Sequence, residues 1–441
     1  MLDAGAKGGP MSQLYPFTDP QAAAPRRIVS GHGIRVRDDQ GREFIDAVAA
    51  LWCASLGFDD ARLRRAASEQ MAELAYYHSF MGRTPAVTER LADRLVARLP
   101  APLSQVFFAT SGSEAVESAA KIARYYQSAR GRPDKMRFIA REGAYHGSGQ
   151  MSAALTGLSY CHTGFGLPLP AVLRTGRPHH FRDAEPGESE IAFSKRRARE
   201  LDALIRAEDA GTIAAFIGEP AMGAGGVILP PEGYWAEIQE VLARHDILLI
   251  ADEIITGFGR TGEWFGCETW GIRPDMMTLA KQLTASYFPL SAVAISGEMA
   301  RAIGGFAHQH GTFGHGFTYG GHPVGSAVAL ETLDIYEEMD LPAQVARLGA
   351  HLGRRLARLA DRPGIGQLRR QGLLAAVEMT RAEDAARVAA EAEQRGVFFR
   401  LIGPVLAIAP PYVATPEDLD AIMDVMEAAL DACAVEVAGV P

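Results

Sequence analysis

Cysteine, positive charge and long apolar runs are scarce in this chain of 441 residues, and each scarcity argues against a class of protein. Four cysteines (Cys53, Cys161, Cys267 and Cys433) lie far apart without a Cys-x-x-Cys pair. This spacing favours free thiols in a reducing cytoplasm, although a disulfide stays open. The net charge of −9 is opposite to the basic footprint of nucleic-acid-binding proteins. Because no run of about 18 apolar residues occurs, and residues 1–10 contain no apolar signal core, we expect neither a membrane span nor a secretory leader.

The rest of the composition, 48% apolar and 22% charged residues, is typical of a soluble globular protein with a large core. Alternating strand and helix patterns across residues 76–319 predict a large α/β domain around a mainly parallel sheet. Residues 1–75, an arm followed by a hairpin, are expected to join residues 320–441 in a smaller α+β domain. Residues 1–30 and 151–190 show little periodicity, which predicts a loose arm and an irregular segment.

Two short apolar runs, at residues 247–250 and 276–279, predict buried parallel strands. Asp252 follows the first run and Lys281 follows the second. Ligands bind beyond the carboxyl ends of strands in open α/β sheets, so both side chains are expected in one crevice. An amine that forms a Schiff base and an acid that keeps a pyridine nitrogen protonated are what pyridoxal phosphate requires. The alternative is a surface lysine and an aspartate in a turn.

A possible anion site follows the apolar run at residues 106–109. The segment Thr110-Ser-Gly-Ser-Glu114 places Ser111 and Glu114 in the Ser-x-x-Glu order of a capping box, which predicts a helix start. Free N–H groups, the helix dipole, the hydroxyls of Ser111 and Ser113, and Gly112 between them can together bind a phosphate. An ordinary capped helix is the alternative.

Two further polar segments follow predicted strands. Tyr145 and His146 come after the run at residues 137–140 and lie between glycines, where an aromatic ring can stack on a flat ligand. Packing within a loop is the alternative for both. Glu219 follows the run at residues 213–217, so it is expected at the same sheet edge as Asp252.

The histidines predict no metal site. His179 and His180 are adjacent, so they do not share a face of a helix or strand. His308, His310 and His315 are interpreted as part of a glycine-rich loop, and their spacing is not that of metal ligands.

Six motifs, in this order, resemble those of the class III aminotransferases, which are fold-type I pyridoxal-phosphate enzymes. They are Thr110-Ser-Gly-Ser-Glu, Tyr145-His-Gly, Gly218-Glu-Pro, Ala251-Asp-Glu-Ile-Ile-Thr-Gly-Phe-Gly-Arg-Thr-Gly, Ala280-Lys and Phe317-Thr-Tyr-Gly-Gly-His-Pro. The resemblance covers nearly the whole chain. It implies an α/β fold with a mainly parallel, seven-stranded type of sheet between helices, and a smaller α+β domain.

Within that class the chain is most similar to the ω-amino acid (amine):pyruvate aminotransferases, through Pro16-Phe-Thr-Asp, Leu51-Trp-Cys, Tyr77-His-Ser-Phe, Gly223-Ala-Gly-Gly-Val-Ile and Arg400. The similarity implies ping-pong transfer of an amino group from an ω-amino acid or amine to pyruvate. The alternative is a class III enzyme that uses 2-oxoglutarate with 4-aminobutyrate, ornithine or a diamine as donor, or a decarboxylating relative. A silent binding protein on this fold is a third reading, and the intact lysine and aspartate argue against it.

The resemblance also implies residue roles. Lys281 is expected to be the catalytic lysine, and Asp252, with Glu219 behind it, the partner of the pyridine nitrogen. Thr318 is expected to reach the cofactor phosphate of a neighbouring subunit, which implies a homodimer with shared active sites and leaves a tetramer open. The full cofactor-binding set is Ser111, Gly112, Ser113, Tyr145, His146, Glu219, Asp252, Ile254, Lys281 and Thr318. The substrate-binding set is Phe17, Trp52, Phe80, Tyr145, Ala224 and Arg400.

Arg400 supplies a planar charged fork for the carboxylate of a keto acid. Because an amine donor carries no such group, Arg400 is expected to swing in for one half-reaction and out for the other. An ordinary surface arginine is the alternative. Gln282, Gly320 and His78 depart from the residues frequent in the family, which are glycine, serine and asparagine.

Overall fold

A computed structural model describes residues 13–19 and 25–433, and these residues form three sheets. The strands are β1 Ile28–His32, β2 Arg35–Asp38, β3 Glu43–Asp46, β4 Leu103–Ala109, β5 Arg137–Arg141, β6 Val172–Thr175, β7 Ile213–Gly218, β8 Leu248–Asp252, β9 Met276–Leu279, β10 Ser291–Ser296, β11 Ile365–Gln371, β12 Leu374–Met379, β13 Val397–Phe398, β14 Arg400–Ile402 and β15 Val405–Ile408.

The helices pack around these sheets. They are α1 Ala49–Trp52, α2 Ala61–Glu73, α3 Ala86–Arg98, α4 Gly112–Ala129, α5 Gln150–Leu155, α6 His180–Asp183, α7 Glu190–Ala207, α8 Tyr234–Arg244, α9 Gly266–Trp270, α10 Gly297–His310, α11 Pro323–Glu338, α12 Leu341–Ala357, α13 Ala382–Gln394 and α14 Pro416–Ala432. Short 3-10 turns lie at Ser159–Cys161, Ala210–Thr212 and Lys281–Thr284.

The central sheet has seven strands in the order β4-β10-β9-β8-β7-β5-β6. All of its neighbouring pairs are parallel except those of β10, which runs antiparallel to both β4 and β9. Every residue of β7, β8 and β9 is buried, because helices cover both faces. The predicted α/β fold with a mainly parallel, seven-stranded type of sheet is confirmed.

Three local predictions were wrong. Strand β1 begins at Ile28, within residues 1–30, where a loose arm was expected, because it pairs with β2 in an antiparallel hairpin. Strand β6 lies within residues 151–190, because it adds a parallel edge to β5. His308 and His310 belong to the last turns of α10, and only His315 lies in the loop that follows.

The other two sheets join distant parts of the chain. The first has the order β1-β2-β3-β13, and β13 pairs in parallel with β3 through Val397 opposite Ile45. The second has the order β11-β12-β15-β14 and is antiparallel throughout. The β3–β13 pair supports the division into residues 1–75, 76–319 and 320–441, which stays a prediction.

The described residues also answer two questions about membrane-spanning helices and cysteine pairing. None of their helices is long and apolar enough to cross a bilayer. The four cysteines are free thiols, and Cys267 is the buried member of the group.

Candidate active site

A cavity of about 360 Å³ lies beyond the carboxyl ends of the central strands. Tyr145 and His146 reach it from the loop after β5, Glu219 from the loop after β7, Asp252 from the end of β8 and Lys281 from the turn after β9. The start of α4 supplies its opposite wall with Ser111, Gly112 and Ser113. The predicted convergence of a carboxylate, an amine and a helix start at one sheet edge is therefore present.

Asp252 is buried and held by three hydrogen bonds. His146 Nδ1 lies 2.7 Å from Oδ2, and because a carboxylate only accepts, Nδ1 carries the proton. The Thr278 hydroxyl donates to Oδ1 at 3.0 Å, and the Ile254 N–H donates to the same oxygen at 3.2 Å. His146 Nε2 is buried without a hydrogen-bond partner among the described residues. The network holds the carboxylate in one orientation.

Glu219 connects the cavity to two loops. Its buried carboxylate accepts from the N–H groups of Tyr145 at 3.2 Å and Gly223 at 2.8 Å. Burial raises the pKa of this carboxyl, and the nearby Asp252 raises it further, while His146 and Arg141 oppose the shift. Glu219 therefore anchors the segment that carries Tyr145 and the glycine loop that begins at Gly223.

Lys281 follows β9 directly, with its backbone in the left-handed region at φ +51°. Ala285 (φ +47°) and Ser286 (φ +72°) share this unusual conformation, so backbone strain is concentrated at this wall, as is frequent at functional sites. Burial lowers the pKa of the Lys281 ammonium, while Cys53, Asp252 and Glu219 oppose the shift. A larger fraction of the amine is consequently neutral and able to act as a nucleophile or base.

The start of α4 forms only half of the predicted capping box. The Ser111 hydroxyl accepts from the Glu114 N–H at 3.2 Å, but the Glu114 carboxylate accepts from the Thr110 N–H at 2.8 Å. Ser113 Oγ accepts from the Ser148 N–H at 3.0 Å, which joins the helix start to the loop after β5. Dipole, N–H groups and hydroxyls at the start of an 18-residue helix are the features that favour an anion.

Gly112 is required sterically at this helix start. A Cβ on Gly112 would lie 2.9 Å from Cδ1 of Ile254, which itself lines the cavity. Only a glycine fits there without a shift of Ile254.

A second cavity, of about 750 Å³, adjoins the first and shares Gly147 with it. Its walls are largely apolar and aromatic, with Arg400 as the charged member: Phe17, Tyr160, Phe165, Leu167 and Arg400. The Phe17 ring lies edge-on to Tyr145 and Tyr160, with centroid distances of 6.4 and 6.2 Å.

The Trp52 side chain lies near one charged residue of each cavity. It is buried, Lys281 Nζ lies 5.5 Å from the centre of its ring, and Arg400 Cζ lies 6.0 Å from that centre. The cation–π geometry places an amine and a guanidinium beside one aromatic side chain.

Four predicted residues do not line the first two cavities, and Trp52 is one of them. Ala224 packs against the apolar cluster that contains Trp52. Phe80 lines a third cavity, and its ring lies so close to Gly316 that a Cβ there would come within 2.8 Å of its Cζ. Thr318 is exposed and lines none of the three cavities, and its carbonyl accepts from the Tyr76 hydroxyl at 2.8 Å.

Sequence reasoning missed several residues of the first cavity. Cys53, Thr284 and Ser286 line it, and Thr278 supports Asp252 from β9. A threonine inside the apolar run 276–279 was a signal for the last of these, because a buried hydroxyl needs a partner.

Two of the three departures from the family pattern, Gln282 and Gly320, make specific contacts in the structure. Gln282 is buried, and its Nε2 donates to the Ile255 carbonyl at 2.8 Å, which links the turns after β8 and β9. A Cβ on Gly320 would lie 2.6 Å from the Phe108 carbonyl oxygen, so a serine there would require a backbone shift.

The donor set fits pyridoxal phosphate. It comprises a partly desolvated amine and a carboxylate oriented by a histidine. It also comprises a helix start at which a Cβ on the glycine would crowd the cavity wall, and an aromatic ring that lines the cavity. Fold and site together define an α/β enzyme of the fold-type I pyridoxal-phosphate class. The family described as Aminotransferase class-III matches residues 18–430, and the chain belongs to it. Enzymes of that family are pyridoxal-phosphate-dependent aminotransferases.

Relatives agree on the family and differ in the substrate that their names give. The omega transaminase of Pseudomonas jessenii, solved in complex with PMP, is 44% identical, with a TM-score of 0.95 over 97% of this chain and 98% of that one. The gamma aminobutyrate transaminase 3, chloroplastic, of Solanum lycopersicum is 44% identical over 434 residues, 95% of this chain and 83% of that protein. An uncharacterized aminotransferase of Sinorhizobium fredii is 42% identical over 435 residues, 96% of this chain and 93% of that protein.

Proposed function

We propose that this aminotransferase binds pyridoxal phosphate in the first cavity and moves an amino group from an amine or ω-amino acid to pyruvate. The observation that carries the proposal is the meeting of Lys281, Asp252 and the α4 start around one cavity. A second, largely apolar cavity with an arginine adjoins it, as a donor with an apolar body and an acceptor with a carboxylate would require.

The cofactor would be held at each of its ends by a different element. Lys281 Nζ would hold it covalently, and Asp252 would pair with the ring nitrogen because His146 and Thr278 hold the carboxylate in place. Ser111, Gly112 and Ser113 would bind the phosphate, Tyr145 would cover the ring, and Glu219, His146 and Ile254 would support these groups. When bound, pyridoxal phosphate supplies an electron sink for the bond that breaks at the substrate carbon.

Lys281 is also the proposed acid and base of the reaction. Once its amine is free, it lies in the same cavity as the substrate carbon and can move a proton from that carbon and return one. Its lowered pKa supports this role, because a neutral amine accepts a proton near neutral pH. Trp52 beside Nζ excludes water from that face.

The second cavity supports a donor with a large apolar group. Phe17, Tyr160, Phe165 and Leu167 offer more apolar wall than a short amino acid covers. Arg400 in the same wall would bind the carboxylate of pyruvate in the other half-reaction.

A second candidate is transfer from 4-aminobutyrate, with ornithine or a diamine as further donors, to 2-oxoglutarate. The 44% identity with the gamma aminobutyrate transaminase of Solanum lycopersicum favours it, and Arg400 can equally bind the carboxylate of such a donor.

A donor and acceptor screen with the purified holoenzyme separates these candidates. We expect kcat/KM for an arylalkylamine with pyruvate to exceed the value for 4-aminobutyrate with 2-oxoglutarate by about tenfold or more. A reversed order would establish the second candidate, and no amino transfer with any donor would refute both.

We also propose that the enzyme is a homodimer with shared active sites. Phe80 and Thr318 lie outside the first cavity of their own chain, and Met81 and Tyr319 expose large apolar surfaces beside them. Such residues would complete the cavity of a second copy. Pairing of dimers into tetramers, and a cytoplasmic location, stay predictions.

A further inference from the structure

A buried arginine from the C-terminal part of the chain holds the loop that carries Ala224. Arg369 lies on β11 and is 7% exposed. Its Nε donates to the Val227 carbonyl at 2.9 Å, and one terminal nitrogen donates to the Gly226 carbonyl at 2.7 Å. One guanidinium therefore binds two consecutive carbonyls of a loop that is more than a hundred residues away in sequence.

The loop, residues 223–227, is closed at both ends. Met222 and Ile228 exchange backbone hydrogen bonds of 3.0 and 2.9 Å at its base, and the Gly223 N–H donates to Glu219. Val227 has φ +52°, a conformation that a β-branched residue adopts only when its surroundings impose it. The two bonds from Arg369 are placed to impose it.

Close packing also restrains the loop on the side that faces the first cavity. A Cβ on Gly223 would lie 2.5 Å from Cδ1 of Ile255, which lines the first cavity. A Cβ on Gly225 would lie 2.4 Å from the carbonyl oxygen of Gly143, two residues before Tyr145. The loop is thus held between the cavity wall on one side and Arg369 on the other.

Glu378 of β12 keeps the guanidinium in place. Its carboxylate accepts from Arg369 and, at 2.5 Å, from Arg182 Nε. Although burial raises the pKa of Glu378, the hydrogen bond from His179 and the charge of Arg369 lower it to about 2. The carboxylate is therefore ionised throughout the neutral range, and the ion pair with Arg369 persists.

We propose that Arg369 is a positioning residue that fixes residues 223–227 and so limits the size of the substrate group accommodated beside Ala224. The inference rests on the proposed substrate-binding role of Ala224. This residue lines neither of the first two cavities, but it packs against the apolar cluster that contains Trp52 and Ile255, and Ile255 lines the first cavity. A lysine at this position would keep the charge but lose the fork that binds two carbonyls at once.

Arg369→Lys tests the inference, with Arg370→Lys as the matched control because Arg370 is the exposed neighbour on the same strand. The first readout is hydrogen exchange of the apoprotein. We expect the amides of residues 222–228 to exchange about tenfold faster in the Arg369 variant, while the strands of the central sheet and the control keep wild-type rates. Unchanged exchange in that loop would overturn the inference.

The second readout is the ratio of kcat/KM for 1-phenylpropylamine to that for 1-phenylethylamine, two donors that differ by one methylene. We expect Arg369→Lys to raise this ratio about tenfold, with the visible absorbance of the bound cofactor unaltered. A ratio within about twofold of wild type refutes the size limit.

The two proposals fail separately. A wild-type enzyme that transfers no amino group from either amine refutes the proposed function, while the exchange experiment still tests the loop. If Arg369→Lys does not fold, Glu378→Gln replaces it, because it weakens the support of Arg369 at constant volume. For Glu378→Gln we expect a smaller increase in the exchange rates of residues 222–228 and a smaller rise in the kcat/KM ratio of the two amines. If this variant folds and shows neither change, the inference is refuted.

Discussion

Lys281 combines two requirements at the scale of a single residue. In the proposed function it binds a cofactor as a nucleophile and then exchanges a proton as an amine, and both tasks need a neutral nitrogen. Burial lowers its pKa, while Cys53, Asp252 and Glu219 oppose the shift. The position at φ +51° directs a buried strand into a tight turn at that residue.

Lys281→Ala is expected to lower kcat by at least about 10³-fold, because both the covalent attachment and the proton transfer are lost. Binding of pyridoxal phosphate should persist at reduced affinity, because the α4 start and Asp252 remain. Steady-state kinetics and a cofactor titration measure the two effects. Lys195→Ala, at an exposed position of α7, is the control. A near-normal turnover in the Lys281 variant would show that the lysine has no catalytic role.

Arg400→Ala is expected to raise KM for pyruvate by about 10- to 100-fold, because a charge-assisted hydrogen bond contributes about 1.5–3 kcal/mol. KM for an apolar arylalkylamine should change less than about threefold, since that donor carries no carboxylate. Initial-rate kinetics with each substrate varied in turn provides the comparison, with Arg395→Ala as the exposed control. Equal changes for donor and acceptor would contradict the proposed swing of Arg400.

At the scale of elements, the start of α4 and the turn after β8 meet at one narrow point. Gly112 belongs to the helix and Ile254 to the turn. A Cβ on Gly112 would lie 2.9 Å from Cδ1 of Ile254. Ile254 therefore lies beside both the proposed phosphate site and the proposed ring-nitrogen partner, since it also donates its N–H to Asp252.

Gly112→Ala is expected to weaken pyridoxal-phosphate binding about tenfold, because overpacking of this kind costs about 1–3 kcal/mol. Fluorescence titration of the apoenzyme measures the dissociation constant. Ile254→Val removes the Cδ1 atom in the way, so the double variant Gly112→Ala/Ile254→Val should recover most of the affinity, and Ile254→Val alone should bind nearly as wild type. Full affinity in the single Gly112 variant would show that the contact is not limiting.

At the scale of the whole molecule, one chain places two predicted active-site residues, Phe80 and Thr318, away from its own lysine. In the proposed homodimer a second copy would resolve this separation, because an isologous interface presents the same segment of each copy to the other. The net charge of −9 does not oppose such pairing when the contact surface is apolar and aromatic, as it is around Met81 and Tyr319.

Exchange of subunits between two impaired variants tests this arrangement. Lys281→Ala removes the lysine, and Thr318→Val removes the hydroxyl proposed to reach the partner's phosphate. A mixed dimer contains one cavity with both residues, so co-expression should recover on the order of a quarter of wild-type activity under statistical pairing. Activity equal to the mean of the two parents would contradict shared sites, and so would a fully active Thr318→Val enzyme.

Much of the fold was accessible from periodicity. The apolar run at residues 276–279 became β9 with the predicted bounds, because continuous burial leaves a clear pattern. The edge strand β6 was missed since a strand of four residues, one of them an arginine, has little pattern of its own. His308 and His310 were assigned to a loop because the glycines of α10 obscured its helical signal.

The sequence by itself determined the order of the strands and turns, the chemistry at each strand end and, through the ordered motifs, the family. Only the tertiary structure decided which of those groups meet. His146 pairs with Asp252 across 106 residues, Trp52 lies beside Lys281, and Arg369 binds the Ala224 loop. Such contacts depend on how layers pack in three dimensions, whereas a local pattern reports only the period with which one segment is buried.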